Sequence, residues 1–169
     1  MDDRPPAERI ALAWQEARAT AAGWRSLHAR PLAVGWATVE LDRATADLAV
    51  ALRLPGAEPF VAVRRSDALG ATARLAAGVG PDGGSLVVLE PDTEGRLAGS
   101  LARLGEGPVA MWLAVDGPGL GLEALHGAGL SLSPEVDGPF GPERLVVGAG
   151  DVPGRHRLLV ARSAGTIRP

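Results

Sequence analysis

The sequence predicts an α+β chain in which two βαβββ modules form one curved mixed sheet with a central cleft, preceded by an N-terminal helix. The first observation behind this is a turn of Pro and Gly that feeds a short apolar strand in each half. Pro81-Asp82-Gly83-Gly84 precedes Ser85-Leu86-Val87-Val88-Leu89-Glu90, and Asp151-Val152-Pro153-Gly154 precedes Arg155-His156-Arg157-Leu158-Leu159-Val160. A supersecondary unit that recurs reads as two copies of one module. The second is that the same order of strand, helix and two strands stands upstream of each. The third is an uninterrupted helix-favouring stretch at the start of the chain. At 169 residues the chain can hold one domain with a good core, or two small modules sharing one.

From Ala7 to His28 no proline interrupts the chain, and Ile10, Trp14, Ala17, Ala21, Trp24 and His28 recur at alternating spacings of four and three, one apolar seam on one helix. Pro5-Pro6 suits its first turn, and Arg30-Pro31 ends it, because the residue before proline is pushed out of the helical region. The seam either docks on the body of the protein or pairs two chains through its tryptophans. Leu32 to Leu41 reads as a strand, and Asp42 is placed to cap a helix over 43–52. Pro55-Gly56 breaks the chain, and short strands follow over 60–63, 71–76 and 85–90. Residues 93–104 form a linking helix with Leu97, Leu101 and Leu104 on one side and Gly105 past its end. The second copy has a strand over 108–115, a helix over 120–128 closed by Gly129, and strands over 130–133, 144–148 and 156–161. The expected organisation is a lead-in with its helix over 1–31, a first module over 32–91, a linker over 92–107, and a second module with its tail over 108–169.

Composition narrows the function classes. Hydrophobic residues make up 46% of the chain and the net charge is −3, the profile of an ordinary globular protein. All 17 basic residues are arginine, scattered among acids along the sequence without a basic stripe, so nucleic acid is not an expected partner. The absence of cysteine removes disulfides, thiolate nucleophiles and zinc–thiolate sites, and fits a reducing compartment. No apolar run approaches the roughly 20 residues of a membrane span, and Met1-Asp2-Asp3 lacks the basic start of a signal peptide. The expectation is a cytoplasmic protein without membrane contact. Gly117-Pro118-Gly119-Leu120-Gly121 is glycine-rich but lacks the lysine of a phosphate loop and reads as a plain loop. No nucleophile elbow is present.

Several stretches resemble the vicinal oxygen chelate superfamily, which includes glyoxalase I, methylmalonyl-CoA epimerase, extradiol dioxygenases and the bleomycin-resistance proteins. They are Leu89-Glu90-Pro91, then Leu97 and Leu101, then Gly105-Glu106-Gly107 entering a strand that ends in Val115, followed by Leu122, Leu125 and Gly129. Gly138-Pro139-Phe140-Gly141, and then Asp151 to Gly154 before the last strand, are similar to the closing segment of the glyoxalase and resistance proteins. The resemblance covers Leu32 to Ala161. It implies metal ligands on the first and last strands of each module, facing the cleft. The matching positions here are Ala33 or Val34, Ala110, Val87 and Leu158, and none carries a donor for a cation. No metal and no other cofactor is therefore expected.

Side chains alternate along a strand, so if Val34 and Ala110 face the cleft, Trp36, Thr38 and Trp112 face it too. Two tryptophans at related places would suit a planar or apolar ligand, or would simply fill the concave side. The ligand-lining candidates are thus Val34, Trp36, Thr38, Val87, Ala110, Trp112 and Leu158. Glu90, Glu106 and His156 are the weaker candidates for acid–base work, set against plain solvent exposure; His126 lies late in a helix. The leading expectation is a metal-free protein binding a small organic molecule. The rivals are a metal-dependent isomerase or lyase resembling methylmalonyl-CoA epimerase, with ligands drawn from Glu90, Glu106, Glu143 or His156, and an interaction module that forms a homodimer through its N-terminal helix.

Overall fold

The computed structural model describes residues 3–116, 122–127, 129–148 and 154–162. Helix α1 (Pro6–Gly23) begins with proline in its first turn and buries Ile10, Trp14, Ala17 and Ala21, the first four positions of the predicted seam. It stops before Trp24 and His28. Residues 25–27 tighten into a 3-10 turn, and His28 takes a left-handed conformation with φ 48°, which turns the chain into β1 (Arg30–Ala37). Pro31 lies inside that strand, at a bulge against its antiparallel neighbour, one of the few places where a strand tolerates a missing N–H.

Helix α2 (Leu41–Ala51) begins two residues earlier than a cap at Asp42 would set, with Glu40 at the cap and no side-chain cap bond from it. The start is held from outside instead: Thr38 Oγ accepts from the Glu40 N–H at 3.1 Å and Glu106 Oε1 accepts from the Val39 N–H at 3.2 Å. Asp42 sits in the first turn, where its charge suits the helix dipole, and pairs with Arg74 at 2.6 Å. Strands β2 (Val61–Ser66), β3 (Ala71–Ala76) and β4 (Ser85–Pro91) complete the first module. Helix α3 (Arg96–Leu104) is shorter than predicted and ends at Gly105, whose φ is 69°. The second module runs through β5 (Gly107–Asp116), α4 (Leu122–Gly127), β6 (Leu130–Leu132), β7 (Val136–Gly138), β8 (Gly141–Gly148) and β9 (His156–Arg162). The extra strand β7 folds back on β8 around Pro139 and Phe140. The glycine-rich stretch 117–121 and the turn 151–153 lie outside the described residues.

The sheet order is β2-β3-β4-β1-β5-β9-β8-β6, with β7 also paired to β8. Within each module the first and last strands are parallel neighbours, β1 with β4 and β5 with β9. The two modules meet where β1 pairs antiparallel with β5. Alternation then divides the core in two. On one face Val34, Trp36, Leu86, Val88 and Met111 pack with Ile10 and Trp14 of α1 and with α2, and Leu113, Val146 and Leu159 pack with Ala21, Leu27 and Leu125. On the concave face Ala33, Ala37, Val87, Leu89, Ala110, Trp112, Leu145, Leu158 and Val160 form a second core. Gly80 and Gly84 flank the first Pro-Gly turn and lie against the Trp14 indole, where a Cβ on either would collide with the ring. That turn therefore needs its glycines to close over α1.

Candidate functional site: the concave face

The four positions that matter most come together as the topology requires. Ala33 on β1 is opposite Trp112 on β5, Gly35 is opposite both Val87 and Ala110, and Trp112 is opposite Leu158 on β9. Ala33, Val87, Ala110 and Leu158 thus surround one spot at the module junction, and all four belong to the same buried cluster. The Trp112 indole fills that spot. A Cβ on Gly35 would lie 2.8 Å from Trp112 Cζ3 and 2.9 Å from the Ala110 Cβ, so the ring rests directly on the β1 backbone. The glycine and the surrounding alanines leave the volume that the indole takes up, as close packing demands.

A divalent cation does not fit this donor set. Each side chain at the four positions is hydrocarbon, and nothing in it compensates for the water stripped from an ion. Among the described residues, no three His, Asp or Glu side chains converge as a metal-holding group.

One carboxylate does reach the face. Glu143 on β8 is fully buried; its Oε2 accepts from the Trp112 Nε1–H at 2.7 Å and its Oε1 from the Ser66 Oγ–H at 2.5 Å. Burial among apolar groups pushes its pKa above the ordinary glutamate value. The donated hydrogen bonds from Ser66, Trp112 and the Ala68 N–H counter that only in part, and nearby Asp67 adds to the rise. Gly138 lies against the carboxylate so closely that a Cβ there would overlap it. Ser66 belongs to the first module and Glu143 to the second, so this bond ties the modules across the concave side. The Asp67 N–H donates to the Asp137 carbonyl at 3.0 Å, and Arg64 pairs with Asp137 at 3.0 Å, extending the seam from β2 to β7. Leu69, Leu97 and the half-buried Phe140 pack against the same cluster, with Phe140 edge-on to Trp112 at 5.8 Å between ring centres.

The sequence-predicted site residues divide accordingly. Ala110, Trp112, Val87 and Leu158 share the concave face. Val34 and Trp36 stand on the opposite, helix-covered face, so the two tryptophans do not line one cleft. The reason is register: Ala110 stands opposite Gly35, so Ala33 and not Val34 shares its face, and that reverses the parity expected for the whole strand. Trp36 is buried under α1, with the Arg9 guanidinium 4.8 Å from its ring centre. Thr38 is buried at the end of β1 and donates its Oγ–H to Glu106 at 2.7 Å.

Glu106 also accepts from Arg43 at 2.7 Å. Partial burial works against its charge, but the hydrogen bonds from Arg43, Thr38 and the Val39 N–H outweigh it and hold its carboxyl below the ordinary range. It ties the start of α2 to the start of β5 and is remote from Trp112. Glu90 lies at the far end of β4, half-buried, on the parity of Val88. His156 shares a 2.8 Å hydrogen bond with Ser100 on α3, and His126 is exposed. None of these three joins Glu143. Ser66, Leu69 and Phe140 were not singled out from the sequence as site residues, although Phe140 stands inside a stretch that carried the resemblance.

Paired parallel strands, β1 with β4 beside β5 with β9, give the chain the two-module fold that the sequence resemblance implies. The structural neighbours agree. A hypothetical protein, BH1468 from Bacillus halodurans C-125, superposes with a TM-score of 0.64 at 14% identity over 83% of this chain and 99% of its own. Methylmalonyl-CoA epimerase from Mycobacterium tuberculosis gives 0.63 at 20% identity over 82% and 90%. The Streptomyces coelicolor epimerase, in complex with 2-nitronate-propionyl-CoA, gives 0.61 at 19% identity over 80% and 98%. No protein-family model and no curated protein sequence matches the chain. Among the described residues, no helix is long and apolar enough to cross a membrane.

Proposed function

We propose that this protein acts by binding a small, flat, apolar organic molecule on its concave face without the help of a metal ion. The observation that supports this is the Trp112 indole, seated among Ala33, Val87, Ala110 and Leu158 where the fold would otherwise gather metal ligands. A tryptophan face favours flat apolar partners. Its N–H is fixed by Glu143, so the ring is pre-oriented and little ordering is left to the binding step. Phe140 is the side chain the ligand displaces, exchanging one aromatic contact on Trp112 for another. An epimerase reaction that needs a cation finds no donors at these positions, which sets this chain apart from the activity named for its structural neighbours.

The test is titration with 1-naphthol, followed by tryptophan fluorescence and by the unfolding temperature. Saturable quenching with stabilisation by mass action is expected, both lost in Trp112→Phe, which keeps a ring but not the N–H anchor, and both unchanged by EDTA. Absence of any response in the wild type, or a full response in Trp112→Phe, would mean that the concave face is a filled core.

A further inference from the structure

The sheet ends at β2, and over residues 61–63 that strand pairs with β3 on one side and, among the described residues, has no backbone partner on the other. An open edge is ordinarily blunted by lysine, proline or an inward charge. Here the three residues are Val61, Ala62 and Val63, and Val61 is 55% exposed. Helix α2 brings a second apolar surface to the same place. Its inner side buries Leu41, Ala44, Thr45 and Leu48, whereas Ala46, Ala49 and Val50 share another side at helical spacing, with Val50 80% exposed. Between this side of α2 and residues 57–62 runs a groove of about 500 Å³, walled by Ala46, Ala49, Ala57, Pro59 and Val61.

Most charges around this surface are answered within the chain. Arg74 pairs with Asp42, Arg64 with Asp137, and Arg65 with Asp67 and Asp92. Two are not: Arg53, just past the end of α2, and Glu58, in the groove wall, make no ion pair and no side-chain hydrogen bond among the described residues. One surface thus presents an open strand edge, an exposed apolar side of a helix, one unmatched cation and one unmatched acid. That set is self-complementary. Two antiparallel edges related by a two-fold axis can pair with each other, and across such an axis residue i of one chain meets residue j of the other while j meets i. A copy of the same surface therefore answers both charges at once, which selects a second chain over an unrelated apolar partner. We infer that this face is a homodimer contact, in which β2 of two chains join antiparallel, α2 packs beside its counterpart, and Arg53 of each chain meets Glu58 of the partner subunit. The contact leaves α1 alone, whose apolar side is buried within its own chain. It does not include Trp112 and stands or falls independently of the reading above.

The experiment is sedimentation equilibrium of the full chain across the micromolar range. The mass of two chains is expected. Val61→Lys and Val50→Glu, both at exposed positions, should give monomers with an unchanged circular dichroism spectrum. Arg53→Glu and Glu58→Arg should each weaken the dimer about tenfold, since either one creates two like-charged contacts per dimer. Mixing these last two variants should restore it, because the mixed pair sets glutamate against arginine at both contacts. A gain of association on mixing cannot come from misfolding, so it guards the single variants. A wild type that stays a single chain at every concentration, a dimer that survives Val61→Lys and Val50→Glu, or a mixture no tighter than its components would overturn the contact.

Discussion

Glu143 and Glu106 titrate in opposite directions, and the difference separates a carboxylate buried against its preference from one held by partners. Both start from an ordinary value of 4.5. For Glu143 the folded value is raised, so its contribution to stability is full below the ordinary value and is lost as pH rises through the folded one. For Glu106 the folded value is lowered, so its contribution is full above the ordinary value and is lost as pH falls through the folded one. Glutamine at 143 can still accept from the Trp112 N–H and donate to Ser66. Glu143→Gln should therefore be at least as stable as wild type at pH 8, with its advantage shrinking toward pH 4. Glu106→Gln should cost less than about 1 kcal/mol at pH 7, since the Arg43 partner is half-exposed, and that deficit should close in acid. Urea unfolding of the three proteins between pH 3.5 and 8 checks both slopes; a Glu143→Gln deficit that grows with pH would mean the carboxylate is needed in its charged form.

At the scale of elements, α1 shows how much was legible in the sequence and where legibility ended. The seam Ile10, Trp14, Ala17, Ala21 was readable from its spacing, and it is used within the chain: the first three pack with Val34, Trp36 and Met111, and Ala21 packs with Leu27 and Leu113. The end of the helix at Gly23 was not readable, because the turn at residues 25–27 and the left-handed His28 serve the entry into β1 rather than any local preference. The doubled strand pattern was equally plain, down to the turn before β4; the turn at 151–153 before β9 lies outside the described residues. What failed was one residue of register on β1, which moved Val34 and Trp36 to the wrong face, since the stretch 32–37 is apolar on both sides and alternation gives no sign of which side is which. Glu143 could only appear as one glutamate among several, because its meaning comes from Ser66, which is 77 residues away. The intramolecular use of α1 has a consequence: burying Ile10 and Trp14 is worth about 1.5–3 kcal/mol each, a large share of the 5–15 kcal/mol typical of a domain. A chain beginning at Arg30 should unfold many degrees lower and bind 8-anilinonaphthalene-1-sulfonate through the uncovered sheet. Unchanged stability with no dye binding would reduce the helix to an appendage.

At the scale of the whole molecule, the modules are joined twice, and the second joint decides how the protein unfolds. Pairing of β1 with β5 makes one continuous sheet, as the two-module fold requires. Across the concave side, Ser66 on Glu143, the Asp67 N–H on Asp137 and Arg64 on Asp137 link the first module's β2 to the second module's β7 and β8. Between these joints lies a core to which both modules contribute, Val87 and Leu89 from one, Trp112 and Leu158 from the other. Separating the modules would expose all of it at once, so neither half has an apolar face it could keep covered alone. Unfolding should then be a single transition, with tryptophan fluorescence and far-UV circular dichroism tracing coincident urea curves. Because the core spot at the junction is closed by an indole rather than an ion, those curves should also be superimposable with and without EDTA. Ser66→Ala removes one partner of a buried carboxylate and should cost about 1–3 kcal/mol, moving both curves together. Two separated transitions in that variant, or a midpoint that falls on chelation, would show that the halves are held by something other than this shared hydrocarbon core.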